Sequence, residues 1–321
     1  MSDRTQAAGS GRHEKYNQLL KLAQSKPRIT VAVAHPCDEA SLQSAVEAAR
    51  LSLITPILVG PEARVRKLAA DHGFDISGME IVSAEHSHAS AAKAVELVKE
   101  GRAEALMKGS LHTDELMGAA VSRDRGIRTA RRISHCFIMD VPNHPHPLII
   151  TDAAVNIAPT LEEKVDIVQN AIDLAHALGA PEVRVAILSA LETVTAKVPS
   201  TVEAAALCKM ADRGQITGAE LDGPLALDNA IDPEAAAIKQ IKSPVAGRAN
   251  VLVVPDLEAG NMLAKSLSFL AGADAAGVVL GARVPIILTS RADALLTRLA
   301  SCAVAVLVAA QRQKSPAAAI R

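Results

Sequence analysis

Residues 250–270 read NVLVVPDLEAGNMLAKSLSFL. The apolar run 250–254 stops at Pro255 and gives way to Asp256, Glu258 and Asn261 around Gly260. Leu263, Leu267 and Leu270 then recur at intervals of four and three. A short apolar run ended by proline predicts a buried strand, and leucines at that spacing predict a helix with one apolar face. Asp256 is the residue type that caps such a helix. Strand, polar junction, helix is the repeating unit of an α/β protein, whose parallel strands are buried under helices.

The same unit recurs outward in both directions. Apolar runs at 28–34, 55–59, 80–82, 103–107, 135–140, 148–151, 183–188, 277–280 and 284–288 predict further strands. Ala-rich amphipathic runs at 40–51, 62–72, 90–99 and 201–211 lie among them. The clearest helix is 161–178, where Leu161, Val165, Val168, Ile172 and Ala175 share one face. The rhythm breaks at Pro142-Asn143-His144-Pro145-His146-Pro147, because three prolines in six residues fit neither a helix nor a central strand. That break predicts a crossing between two doubly wound α/β domains. Residues 14–141 with a last helix at 292–313 form the first, 142–291 form the second, and 1–13 and 314–321 are flexible ends.

Composition excludes several functions. Of 321 residues, 49% are apolar, yet there are only 3 Phe, 1 Tyr and no Trp. So few rings provide no stacking platform for single-stranded nucleic acid and no aromatic cage for a quaternary amine. Lys and Arg number 34 against 35 Asp and Glu, a net charge of −1, so no overall field draws the chain to nucleic acid or an anionic membrane. Cys37, Cys136, Cys208 and Cys302 lie too far apart for a disulfide framework or a metal knuckle. His86 with His88 and His144 with His146 are ligand-like pairs lacking a third donor, so no metal is expected. The first dozen residues carry no apolar signal stretch, and the expectation is a cytoplasmic protein.

Dinucleotide, Walker and nucleophile-elbow motifs are absent. Ligands of doubly wound sheets bind where strands end and helices begin, and four places stand out. Lys108-Gly109-Ser110-Leu111-His112-Thr113-Asp114 follows the strand at 103–107: Lys108 can meet a phosphate and Gly109 lets backbone approach closely. The plain alternative is a glycine turn with Thr113 as a cap. Ser290-Arg291-Ala292-Asp293 follows 284–288 with capping-box spacing, and a hydroxyl beside an arginine at a helix start also suits an anion. Asp256, Glu258 and Asn261 exceed what one cap uses. Arg123, Arg125, Arg128, Arg131 and Arg132, with Asp124 alone opposing them, form either a solvated face or a pocket for a phosphate-rich ligand.

Together these junctions resemble the phosphate acetyltransferase/phosphate butyryltransferase family. The resemblance rests on SPVAGRANVLVVPDLEAGNML at 243–263, DGPLALDNAI at 222–231 and GARVPIILTSRAD at 281–293, and extends over about 14–313. KGSLHTDELM at 108–117 is similar to the butyryl branch in particular. The resemblance implies the isocitrate/isopropylmalate dehydrogenase-like fold, with the site in the interdomain cleft. It implies reversible transfer of a short acyl group between CoA and inorganic phosphate, and a homodimer. CoA would be a substrate, with no tightly bound cofactor. Ser290 and Arg291 match the family's Ser-Arg pair, implying a hydrogen bond near the thiol or acyl carbonyl and a phosphate contact respectively. The acetyl branch has an aspartate seven residues after that serine, where this chain has Thr297. That branch also has an arginine in the segment after the glycine–histidine turn, where this chain has Leu116 and Met117; Asp293 or His112 is then the substitute base, and Arg123, Arg125 or Arg128 the substitute cation. Lys108, Gly109, Ser110, His112, Asp256, Glu258, Asn261 and Arg128 are the expected substrate-binding set.

The chemistry expected is direct attack in a ternary complex, with the CoA thiolate as nucleophile on acyl phosphate. Two alternatives stay open: a non-catalytic CoA- or acyl-phosphate-binding protein, and a same-fold decarboxylating dehydrogenase using Asp222, Asp228 and Asp256.

Overall fold

A computed structural model describes residues 14–142, 144–290 and 293–314. In chain order it runs α1 (Glu14–Gln24), β1 (Ile29–Ala34), α2 (Glu39–Arg50), β2 (Ile54–Gly60), α3 (Glu62–His72), β3 (Glu80–Ser83), α4 (Ser87–Lys99), β4 (Ala105–Lys108) and α5 (Thr113–Val121). It continues with β5 (Ser134–Asp140), β6 (Leu148–Thr151), α6 (Leu161–Ala177), β7 (Arg184–Leu188), α7 (Pro199–Asp212), β8 (Glu220–Leu225), α8 (Leu227–Ile231) and α9 (Pro233–Ile238). The last elements are β9 (Val251–Val253), α10 (Leu257–Leu270), β10 (Asp274–Leu280), β11 (Ile286–Ile287) and α11 (Leu295–Lys314).

The α/β class holds, but the strands form one mixed sheet in the order β3-β2-β1-β4-β11-β10-β5-β6-β9-β7-β8. The five strands from β3 to β11 are parallel, as are β6, β9, β7 and β8. Between these sets, β10 is antiparallel to β11 and to β5, and β5 is antiparallel to β6. Three reversals therefore leave the second parallel set running opposite to the first. This corrects the expectation of purely parallel strands. The ladder is also unbroken at residue 142: β11, from the segment assigned to the second domain, pairs with β4. The proline-rich segment closes a hairpin, with β5 and β6 paired from Cys136–Thr151 to Met139–Leu148. A hairpin loop tolerates prolines because it needs no ladder donors there. β8 is not among the predicted strands and contains Gly223-Pro224. It lies at the sheet's margin, where a missing N–H is harmless.

Helices cover both faces. On one, α2 and α3 pack on the first parallel set around Leu42, Val65 and Leu58, and α6 and α7 pack on the second around Val168, Ile172 and Leu207. On the other, α4 and α5 contribute Leu97 and Leu116 over Leu106, while α8 and α10 lie over Leu225 and Leu252. Leu263 and Leu267 of α10 pack there as the sequence predicts, but Leu270 is 86% exposed. Among the described residues α11 is the one helix long and apolar enough to cross a membrane. It is the molecule's spine: Leu299, Cys302 and Val306 join the first cluster, Ala300, Val304 and Val308 the second. Every residue from Arg298 to Ala309 is buried, so its apolarity on all sides reflects packing on all sides.

Candidate active site

β1, β4 and β11 are parallel neighbours, so their C-terminal ends open on one edge of the sheet. Glycine at 109 joins the first two of these ends. A Cβ there would lie 2.4 Å from the Ala34 carbonyl oxygen and 2.6 Å from that of His35. Without it, the Gly109 N–H donates to Ala34 O (2.9 Å) and the Ser110 N–H to His35 O (2.8 Å). His35 itself has φ of 57°, a left-handed backbone that is strained for a residue with a side chain. Its ring Nδ1 lies 3.0 Å from Ser90 Oγ.

The third end is that of β11. Ser290 is exposed, and its N–H donates to Asp293 Oδ2 at 2.6 Å. Arg298 of α11 is only 4% exposed and donates to Ser290 O (2.9 Å) and Asp293 O (3.3 Å). Lys108 is 5% exposed, and its Nζ reaches Thr289 O at 3.4 Å. Arg291 lies outside the described residues. The expected pairing of the 108–113 and 290–293 junctions is thus present in space.

Asp38 caps α2, accepting from the Ser41 N–H at 2.8 Å. Burial works against its charge, but hydrogen bonds from Ser41 and from the Ser110 side chain, with the field of Arg298, hold its carboxyl below the usual range. Glu115 is held low by the Ser87 hydroxyl, which donates at 2.5 Å, and by the His112 N–H at 2.7 Å. His35 is pushed down by burial and by Arg64. Two fixed anions, two guanidinium groups and the N-termini of α2 and α5 therefore meet at one strand edge. Such an edge can hold an anionic ligand and orient a proton carrier.

The remaining predicted residues lie elsewhere or do other work. Because the second parallel set runs the opposite way, the end of β9 opens on the other edge of the sheet. There Asp256 caps α10 through the Ala259 N–H (2.8 Å), Asn261 Nδ2 donates to Ala153 O (3.2 Å) and Glu258 is exposed. Arg128 bridges to Ala282 ahead of β11, whereas Ser290 follows that strand. Arg131 pairs with Asp173 and Arg132 with Glu163. His112 is an exposed helix cap. Thr297 lines a cavity of about 310 Å³ with Tyr16 and Ala300, and Ser290 does not line that space. Sequence reasoning missed Asp38, Arg298 and His35. Asp38 and His35 had a signal, the strand-ending AHPCD at 34–38, but Arg298 inside an apolar helix had none.

A mixed α/β sheet whose strand edge gathers helix N-termini and guanidinium groups suits a group-transfer enzyme that handles anions. The comparisons define which: the phosphate acetyl/butaryl transferase family matches residues 87–306. A phosphate acetyltransferase of Rhizobium meliloti is 66% identical over 95% of this chain and 97% of its own length. A phosphate butyryltransferase of Clostridium acetobutylicum is 38% identical over 93% and 99%. A crystallised phosphotransacetylase from Streptococcus pyogenes superposes with a TM-score of 0.80, at 25% identity, covering 91% of this chain and 98% of that one. The chain belongs to the phosphate acetyl/butyryl transferase family and is a transferase of acyl groups between CoA and phosphate. The short similarity of 108–117 to the butyryl branch does not extend to the whole chain, given the greater identity to the Rhizobium meliloti acetyltransferase.

Proposed function

We propose that acyl-CoA and phosphate exchange the acyl group by direct attack in a ternary complex at the shared edge of β1, β4 and β11. The observation that carries this reading is the convergence of Ser290, Asp293, Arg298 and Asp38 there. Phosphate attacks the thioester carbonyl, or in reverse the thiolate attacks acyl phosphate, and charge grows on the carbonyl oxygen in both directions. Ser290 donates toward that oxygen or the leaving sulfur. Asp293, anchored on the Ser290 amide, is our candidate base, and Arg291 a phosphate ligand through its forked donors. An acyl-cysteine route is disfavoured: burial pushes Cys37, the thiol nearest this edge, up to about 11, and Cys136, Cys208 and Cys302 to about 12.

We further propose two domains flanking the antiparallel centre of the sheet, with the substrates in the cleft between them, and no tightly bound cofactor. The acyl group is short. The protein is a cytoplasmic homodimer without nucleic-acid or membrane partners, and the exposed Met262, Phe269 and Leu270 on α10 are the apolar face offered to the second copy. The test is phosphate-dependent release of free thiol from acetyl-, propionyl- and butyryl-CoA. Release with at least one of them is expected, and none with any would overturn the reading.

A further inference from the structure

The carbonyls of Leu288, Thr289 and Ser290 leave β11 in succession, and each faces a polar side chain of a different element. Arg298 of α11 reaches Ser290 O and Lys108 of β4 reaches Thr289 O. His135 of β5, 1% exposed, turns its ring Nε2 toward Leu288 O across Gly277. Gly277 of β10 makes that reach possible. A Cβ at 277 would lie 2.9 Å from Leu288 O and 3.0 Å from His135 Nε2.

The tautomer follows from what surrounds the ring. Nδ1 is buried with no hydrogen-bond partner, and the ring meets Phe137 edge-on with centroids 4.3 Å apart. An unshared lone pair is tolerable there, whereas an N–H would be a buried donor with no acceptor. The proton therefore belongs on Nε2, the ring nitrogen that faces Leu288 O. Burial keeps the imidazole neutral against the field of Asp152, whose Oδ2 accepts the His135 backbone N–H at 3.2 Å.

We infer that His135 is a positioning residue for acyl transfer: through the Leu288 carbonyl it fixes the backbone that presents Ser290. It touches no substrate. The inference rests on the role given to Ser290 above, and the test separates the two.

Thiol release is measured for wild type, Ser290→Ala, His135→Leu, His135→Gln and the double variant His135→Leu/Ser290→Ala. Displacement of a reacting group by an ångström costs on the order of 10²-fold in rate. His135→Leu should accordingly lower kcat by at least about 10-fold with KM within about threefold. Glutamine, which carries an N–H donor at the level of Nε2, should restore most of that loss. If His135 acts through Ser290, adding His135→Leu to Ser290→Ala should cost less than about threefold more. Additive losses, or a glutamine variant no better than leucine when both are folded, would overturn the positioning role while leaving that of Ser290 intact. A fully active Ser290→Ala would overturn both. Should the leucine variant not fold, Gly277→Ala keeps the imidazole but fills its gap to Leu288 O, and the same loss of kcat and the same coupling to Ser290 are expected.

Discussion

Ser290 is exposed, yet its backbone is among the most constrained in the molecule: Asp293 accepts its N–H and Arg298 donates to its carbonyl. On the role proposed for its hydroxyl, a single donor to the developing charge, Ser290→Ala should lower kcat by on the order of 10²-fold with little change in thermal stability. His135 adds a pH dependence of a defined sign. Its pKa is lowered from 6.5 to about 4 by burial, opposed by Asp152, so between those values the unfolded chain binds the extra proton. The stability it contributes is whole above about pH 6.5 and is lost as pH falls toward 4. Urea midpoints should therefore drop over that interval in wild type, and by a visibly smaller amount in His135→Gln. Equal slopes would assign the drop to other groups.

Among the elements, α6 shows how local sequence sets a boundary. Thr160 accepts from the Glu163 N–H and Glu163 from the Thr160 N–H, a complete capping box at a surface helix start. Thr160→Ala should cost about 1 kcal/mol in denaturant unfolding and leave kcat unchanged, since nothing at the strand edge touches it. Helix α10 is the opposite case. Asp256 starts it as the sequence predicts, but Phe269 and Leu270, 83% and 86% exposed, find no partner in the chain's own core. Helix periodicity reports that a face is apolar and is silent on what covers it.

For the whole molecule, that face is where a second copy would dock. On the homodimer proposed above, Phe269→Glu should lower the mass in light scattering to that of one chain, and an unchanged dimeric mass would move the interface elsewhere. With only four aromatic rings, CoA must be held chiefly through its phosphates, so KM for CoA should rise with ionic strength. Much of the architecture was legible. The apolar runs at 28–34, 148–151 and 183–188 are β1, β6 and β7 nearly to the residue, and the glycine at 109 and the serine at 290 sit at strand ends that are spatial neighbours. Asp256, Glu258 and Asn261, expected at the same site, follow β9, whose end opens on the other edge because β9 runs opposite to β4 and β11, and strand direction is not a local property of sequence.

Local sequence marks ten of the eleven strands, the longer helices and the polar residues that follow each strand, because period, caps and prolines act over a few neighbouring residues; β8 and the helices α1, α5, α8 and α9 escape it. Strand direction, and with it which junctions share an edge, is fixed by the assembled sheet. Folding also brings Lys108 and His135, distant in sequence, to the carbonyls that lead to Ser290, beside the nearer Arg298. Those pairings are set by ladder hydrogen bonds and burial between residues up to 181 positions apart, which no local pattern encodes.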